Sequence, residues 1–118
     1  MNRRDVFVVI MHALATEQSV WLREVCAGLE EEGVPYRIEG YEGENGCAVR
    51  LAAIAAGRSP LQVGIGVGSS GELAVHHEKL HNRPPYLQDV WKNGRILGKN
   101  AGRLVKGLPL YRMQKREE

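Results

Sequence analysis

The segment DVFVVIM, Asp5 to Met11, is apolar without alternation, which predicts a strand buried on both faces. In SVWLREVCAGLEEEG, Trp21, Val25 and Leu29 recur every four residues with Leu22 and Cys26 beside them, the stripe of an amphipathic helix. Ser19 is placed to cap its start, Gly33 to take the left-handed position after its end, and Pro35 to stop it. PYRIEGY reads as a second strand bounded by Pro35 and by Gly40 and Gly43. NGCAVRLAAIAAGRSP reads as a second helix, capped by Asn45 and closed by Gly57 and Pro60, whose alanines permit close packing on a sheet. LQVGIGVG is a third strand. Ser69-Ser70-Gly71 has the composition of a hairpin loop with Gly71 at positive φ, so ELAVHH, with Leu73 and Val75 on one face, returns as a fourth. PPYLQDV is a fifth, since Pro84 and Pro85 exclude helix. KNGRILGKNAGRLVKG closes the pattern as a helix with Ile96, Leu97, Ala101, Leu104 and Val105 as its buried stripe, ended by Gly107 and Pro109.

The order is βαβαβ, a hairpin strand, then βα. Right-handed crossovers make the first three strands parallel. A tight loop forces the fourth to run antiparallel. The expected fold is α/β: a three-layer α/β/α sandwich around a mixed five-stranded sheet, with residues 1–118 as a single domain and 111–118 as a frayed, charged tail.

Composition narrows the function classes. The 118 residues suit one core, and 43% apolar with 25% charged is ordinary for a globular protein. A net charge of +2 gives no argument for nucleic acid. Cys26 and Cys47 form neither a disulfide framework nor a metal spacing, and read as buried free thiols. The apolar run near the start is too short for a signal peptide and no run approaches the length of a membrane span, so the expected location is the cytoplasm.

Two motifs overlap in GVGSSGELAVHHEKLH. Gly66, Gly68 and Gly71 spell the dinucleotide-binding G-x-G-x-x-G, and His77, Glu78 and His81 spell the zinc-protease H-E-x-x-H. The first needs a helix starting near Gly71, where ELAVHH alternates like a strand. The second needs a helix through His77 and His81, where a strand end and a double proline leave barely one turn. The expectation is therefore a strand–turn–strand with a polar, solvated histidine end, no bound nucleotide and no catalytic residues.

The charges are less ordinary. Glu30, Glu31 and Glu32 sit at the C-terminal end of the first helix, where the helix dipole makes each acid cost about 0.3–1 kcal/mol. They form either a solvated acidic surface or a site that something positive neutralises, a metal ion or a basic partner. Arg95, Lys99, Arg103 and Lys106 lie at helical spacing on one face of the last helix. That face is either solvated or a binding face for RNA or an acidic protein, and no interleaved aromatic supports RNA.

WLREVCAGLEEEGVPYRI, GRSPLQVGIGVGSSGELAVHH and GKNAGRLVKGLPL, in this order and spacing, resemble the small (beta) subunit of the diol and glycerol dehydratase reactivases, from about Asp5 to Leu110. The resemblance implies an anticodon-binding-domain-like sheet of order 2-1-3-4-5. It implies a non-catalytic subunit that partners a large, actin-like ATPase subunit in an alpha2beta2 complex. That complex acts as a chaperone, releasing damaged cobalamin from inactivated diol or glycerol dehydratase by exchange of its small subunit with the dehydratase beta subunit. Nucleotide would bind the large subunit, not this chain. By its place in EEEG, Glu31 would supply one ligand to a divalent metal, Mg or Ca, shared with the large subunit. The complex would work in the cytoplasm, with or without association with a bacterial microcompartment. The alternatives are the medium (beta) subunit of the dehydratase itself, an RNA-binding module of the same architecture, and a stand-alone nucleotide-binding enzyme.

Overall fold

The computed structural model describes residues 6–13, 20–43, 46–80 and 84–112. Five strands, β1 (Val8–Ala13), β2 (Tyr36–Tyr41), β3 (Val63–Val67), β4 (Glu72–His77) and β5 (Leu87–Val90), form one sheet in the order β2-β1-β3-β4-β5. β1 runs parallel to β2 and β3, while β4 runs antiparallel to β3 and β5. The helices are α1 (Val20–Glu31), α2 (Ala48–Arg58) and α3 (Gly94–Lys106). Order and polarity match the expectation.

The alternation V-G-I-G-V in β3 decides how the layers pack. Val63, Ile65 and Val67 join Val8 and Ile10 of β1 and Leu73 and Val75 of β4 on one face, under Leu22, Val25 and Leu29 of α1 and Leu97 and Ala101 of α3. Gly64 and Gly66 turn to the other face. A Cβ on Gly66 would run into the Ala48 carbonyl, and one on Gly64 into the Ala56 amide, so α2 lies backbone against backbone on β3. Its own alanines, Ala48, Ala52, Ala55 and Ala56, allow that approach. β1 is buried along its whole length, with Val9 and Met11 meeting Leu51 and Ala55 of α2. Ile10, Leu29, Leu51, Ile65, Leu73 and Leu97 are fully buried, each contributing about 1.5–3 kcal/mol before entropy is counted.

Helices α1 and α3 meet in the same way. A Cβ on Gly28 would strike the Arg95 carbonyl, and one on Gly98 the Val25 carbonyl. Both helices end in Schellman geometry. After α1, Gly33 has φ +70°, its N–H donates to Glu30 O at 3.0 Å, and Val34 N–H reaches Leu29 O at 3.0 Å. After α3, Gly107 has φ +71°, and Leu108 N–H reaches Arg103 O at 2.9 Å.

Four local expectations change. α2 begins after Cys47, which makes no side-chain cap, rather than at Asn45; Asn45, like Ser19 before α1, lies outside the described residues. Cys47 is exposed, not buried. Gly57 sits inside α2, and the helix ends at Ser59, whose backbone turns extended and whose hydroxyl donates to Phe7 O at 2.8 Å. β4 is buried on both faces, because α2 covers the side that carries Ala74 and His76.

Gly66→Ala and Gly98→Ala should each lower unfolding stability by about 1–3 kcal/mol or more, because backbone must give way on both sides. Gly57→Ala meets nothing within 4 Å at an exposed helical position. It should raise stability by about 0.5–1 kcal/mol. Urea unfolding of the three variants checks the contrast.

Candidate functional site

The two overlapping motifs resolve into structure. Gly66 seats α2, Gly68 closes the hairpin by donating to Glu72 O at 2.9 Å, and Gly71 turns the chain at φ +85° beneath the Trp21–Trp91 pair, whose ring centroids lie 6.5 Å apart. No helix starts there, so no row of free amides faces a pyrophosphate. His77 is the last residue of β4 and Glu78 begins a single 3-10 turn, Glu78–Leu80; His81 lies outside the described residues. His77 Nδ1 accepts from Lys79 N–H at 3.1 Å. His76, expected in solvent, is only 3% exposed, and its Nδ1–H donates to His77 O at 3.0 Å. A cleft of about 140 Å³ lies beside them, lined by Ala53, Gly57, His76, His77 and Glu78, well below the usual size of a cofactor pocket.

The charged ends of α1 and α3 do come together. Because Gly28 and Gly98 let the helices touch, the basic face of α3 lies along the acids of α1. Glu32 is the most enclosed, its side chain 8% exposed. Lys106 Nζ donates to its carboxylate at 3.0 Å and to its backbone carbonyl at 2.7 Å, and Arg103 stands 3.6 Å away. The Lys106 hydrogen bond, foremost, holds the Glu32 carboxyl below its ordinary range. Arg95 bonds Glu24 at 2.9 Å and reaches Glu31 only at 3.9 Å. Glu30 instead faces Cys26 and Tyr36. Burial, then these neighbours, pushes the Tyr36 hydroxyl up to about 12, and burial raises the Cys26 thiol, so neither ionises near neutral pH.

The acidic end is thus divided. Glu32 closes the helix pair, and Glu31 is left with a side chain 45% exposed and a long ion pair. A half-exposed carboxylate is a sound hard-cation donor. Among the described residues no group of three or more His, Cys, Asp or Glu side chains could hold an ion, so Glu31 could furnish only part of a coordination shell.

The basic face has a second occupant. Tyr111 lies over Lys99 and Arg103, 4.6 and 4.4 Å from its ring centroid, and the fully buried Asn100 clamps its backbone, accepting from its N–H at 2.6 Å and donating to its carbonyl at 2.9 Å. Tyr111, expected to fray, is packed; residues 113–118 lie outside the described residues. Neither the inter-helix pairing nor the Asn100 clamp was read from the sequence. The usable signal was the crossover rule, which places the first and second helices on opposite faces of the sheet.

The family model described as dehydratase medium subunit matches residues 6–111. The propanediol dehydratase-reactivating factor small subunit of Citrobacter freundii is 40% identical over 106 residues, covering 86% of this chain and 87% of that protein. The chain belongs to the reactivating-factor small subunits of the dehydratase medium-subunit family. Solved structures agree. A glycerol dehydratase reactivase superposes with a TM-score of 0.82 at 40% identity, over 91% of this chain and 97% of its own. A diol dehydratase-reactivating factor complexed with ADP and Mg2+ gives 0.78 at 33% identity, over 91% and 98%. The basic face is partly taken up within the chain, by the acids of α1 and by Tyr111.

Because the Glu32 carboxyl sits below its unfolded value, its contribution is present above that value and is lost as pH falls through the folded one. Thermal melts from pH 7 to pH 3 should show Glu32→Gln less stable than wild type at neutrality, with the gap closing in acid. A gap that stays constant would show that the Lys106 pair contributes nothing.

Proposed function

We propose that this chain is the small subunit of a complex that reactivates a cobalamin-dependent diol or glycerol dehydratase. The single observation that carries the reading is the 40% identity to a reactivating-factor small subunit along 86% of this chain. The family model, named for the dehydratase's own medium subunit, supports the rest: a chain of that shape can take the medium subunit's place. On this reading the chain is not catalytic. It partners a large ATP-hydrolysing subunit in an alpha2beta2 complex, and its exchange with the dehydratase beta subunit loosens the enzyme so that damaged cobalamin leaves.

What this chain's residues do is bind and position. The Gly28–Gly98 contact holds α1 rigidly against α3, and the Glu32–Lys106 bond fixes the end of α1. Glu31 is then presented outward as one oxygen ligand to a divalent ion, Mg or Ca, completed by the large subunit. When bound, such an ion would supply positive charge beside the acids at the end of α1. Arg95, anchored on Glu24, steadies Glu31 without fully neutralising it.

Co-expression with a reactivating-factor large subunit and size-exclusion chromatography tests the complex; a chain that elutes apart from that subunit contradicts the reading. At limiting magnesium, Glu31→Gln should weaken assembly by about tenfold or more, with partial rescue by excess ion. The isolated variant should keep an equal or slightly higher melting temperature, since an acid leaves the negative end of a helix. Glu30→Gln is the proper control, because Glu32 is bound to Lys106. Assembly of Glu31→Gln indistinguishable from that of Glu30→Gln rejects the metal role.

A further inference from the structure

β2 ends the sheet, and among the described residues no strand pairs with its outer edge. It is six residues long, contains no proline and keeps an unbroken register with β1 from Tyr36 to Tyr41. Flat edges of this kind are usually blunted or covered, because their unpaired peptide groups recruit another strand. The ladder shows which groups are free. Val8 pairs with Tyr36 and its N–H donates to Pro35 O. In a parallel ladder Arg37 and Glu39 therefore turn their peptide groups inward to β1, while Tyr36, Ile38 and Gly40 turn theirs outward. The side chains divide by face. Arg37 lies 4.1 Å over the Phe7 ring and Glu39 bonds Arg58 at 2.7 Å, both on the α2 side. Tyr36 and Ile38 share the opposite side, and Ile38 is 47% exposed, a large apolar residue at the middle of the edge strand.

We propose that this edge pairs with the β2 of a second copy of the chain, antiparallel, about a two-fold axis at Ile38. Antiparallel pairing requires that outward-facing residues oppose outward-facing residues. With Ile38 opposite Ile38, Tyr36 stands opposite Gly40 twice and Arg37 opposite Glu39 twice. The Arg–Glu pairs fall at the positions that do not exchange hydrogen bonds, where side chains approach most closely. The Tyr36 ring covers the surface that Gly40 leaves bare, a pairing that compensates for glycine at a sheet edge. The register is specified by charge. Sliding one strand by two residues in one direction sets Arg37 against Arg37, and in the other sets Glu39 against Glu39. The segment YRIEG is thus complementary to itself in the one register that keeps every outward group paired.

The contact adds roughly six backbone hydrogen bonds and joins two five-stranded sheets into one. It is smaller than a standard interface, so the dimer is weak and reversible, with dissociation in the micromolar range. The inference stands on the geometry of β2 alone and is independent of the family's activity.

Sedimentation equilibrium of the full chain, at concentrations from about 1 to 300 µM, tests it. The expected result is a monomer–dimer equilibrium that weakens as salt rises. R37E and E39R each set like charges opposite one another and should weaken dimerisation by about tenfold or more. An equimolar mixture of R37E and E39R should associate again, because each mixed pair sets acid against base at every charged position. That rescue separates the proposal from misfolding, since a variant damaged by losing its contact with Phe7 or Arg58 gains nothing from being mixed. A chain that stays monomeric throughout, a dimer insensitive to both variants, or a mixture that fails to associate overturns the proposal. So does an edge protected from amide exchange only when the large subunit is added.

Discussion

The backbone contact of α1 with α3 at Gly28 and Gly98 governs the charged surface of this molecule. Two helices without side chains at their crossing approach closely enough for Lys106 to span to Glu32 and for Arg95 to span to Glu24. A run of acids at the negative end of a helix is unfavourable alone. Here much of that cost is offset within the chain. A bulkier residue at either glycine would part the helices, lengthening the Glu32–Lys106 and Glu24–Arg95 pairs and leaving the acids of α1 to solvent.

The neutralisation is uneven, and the unevenness is what singles out Glu31 for the proposed metal role. Glu32 is enclosed and bonded, Glu30 turns to Tyr36 and Cys26, and Glu31 is held at the end of α1 with its carboxylate half in solvent. A rigid helix end that presents one incompletely paired carboxylate suits a ligand shared across an interface better than a self-sufficient ion site. Under the proposed function, the same rigidity suits a small chain to act as an exchangeable part. Its sheet and helices present a fixed shape that another medium-subunit-like chain can occupy in turn.

Periodicity made the architecture legible wherever burial is continuous. The unbroken apolar run of β1, the V-G-I-G-V alternation of β3 and the Ser-Ser-Gly turn all led to the right elements, and the hairpin settled the polarity of β4. Gly33 and Gly107 marked helix ends correctly because left-handed residues are a backbone requirement. The failures share a cause: they depend on what lies across a layer. His76 is buried by α2, from a distant part of the chain. α2 starts at Ala48, after a Cys47 that makes no side-chain cap, so Asn45 was a plausible but misleading signal. Tyr111 is held by Asn100 and the cations of α3, which composition alone cannot distinguish from a solvated tail. The acids and bases were both noticed, but their meeting depends on two glycines in different helices. The role proposed for Glu31 came from the resemblance, and the structure adds that its carboxylate is half-exposed.

The central claim is that this chain is needed to reactivate a dehydratase. The direct measurement uses a diol or glycerol dehydratase inactivated with damaged cobalamin in place, supplied with fresh cofactor, ATP and magnesium. Recovered activity is followed with the large subunit alone, with this chain alone and with both. The account predicts recovery only when both are present. Equal recovery with the large subunit alone, or no recovery with both, would contradict it.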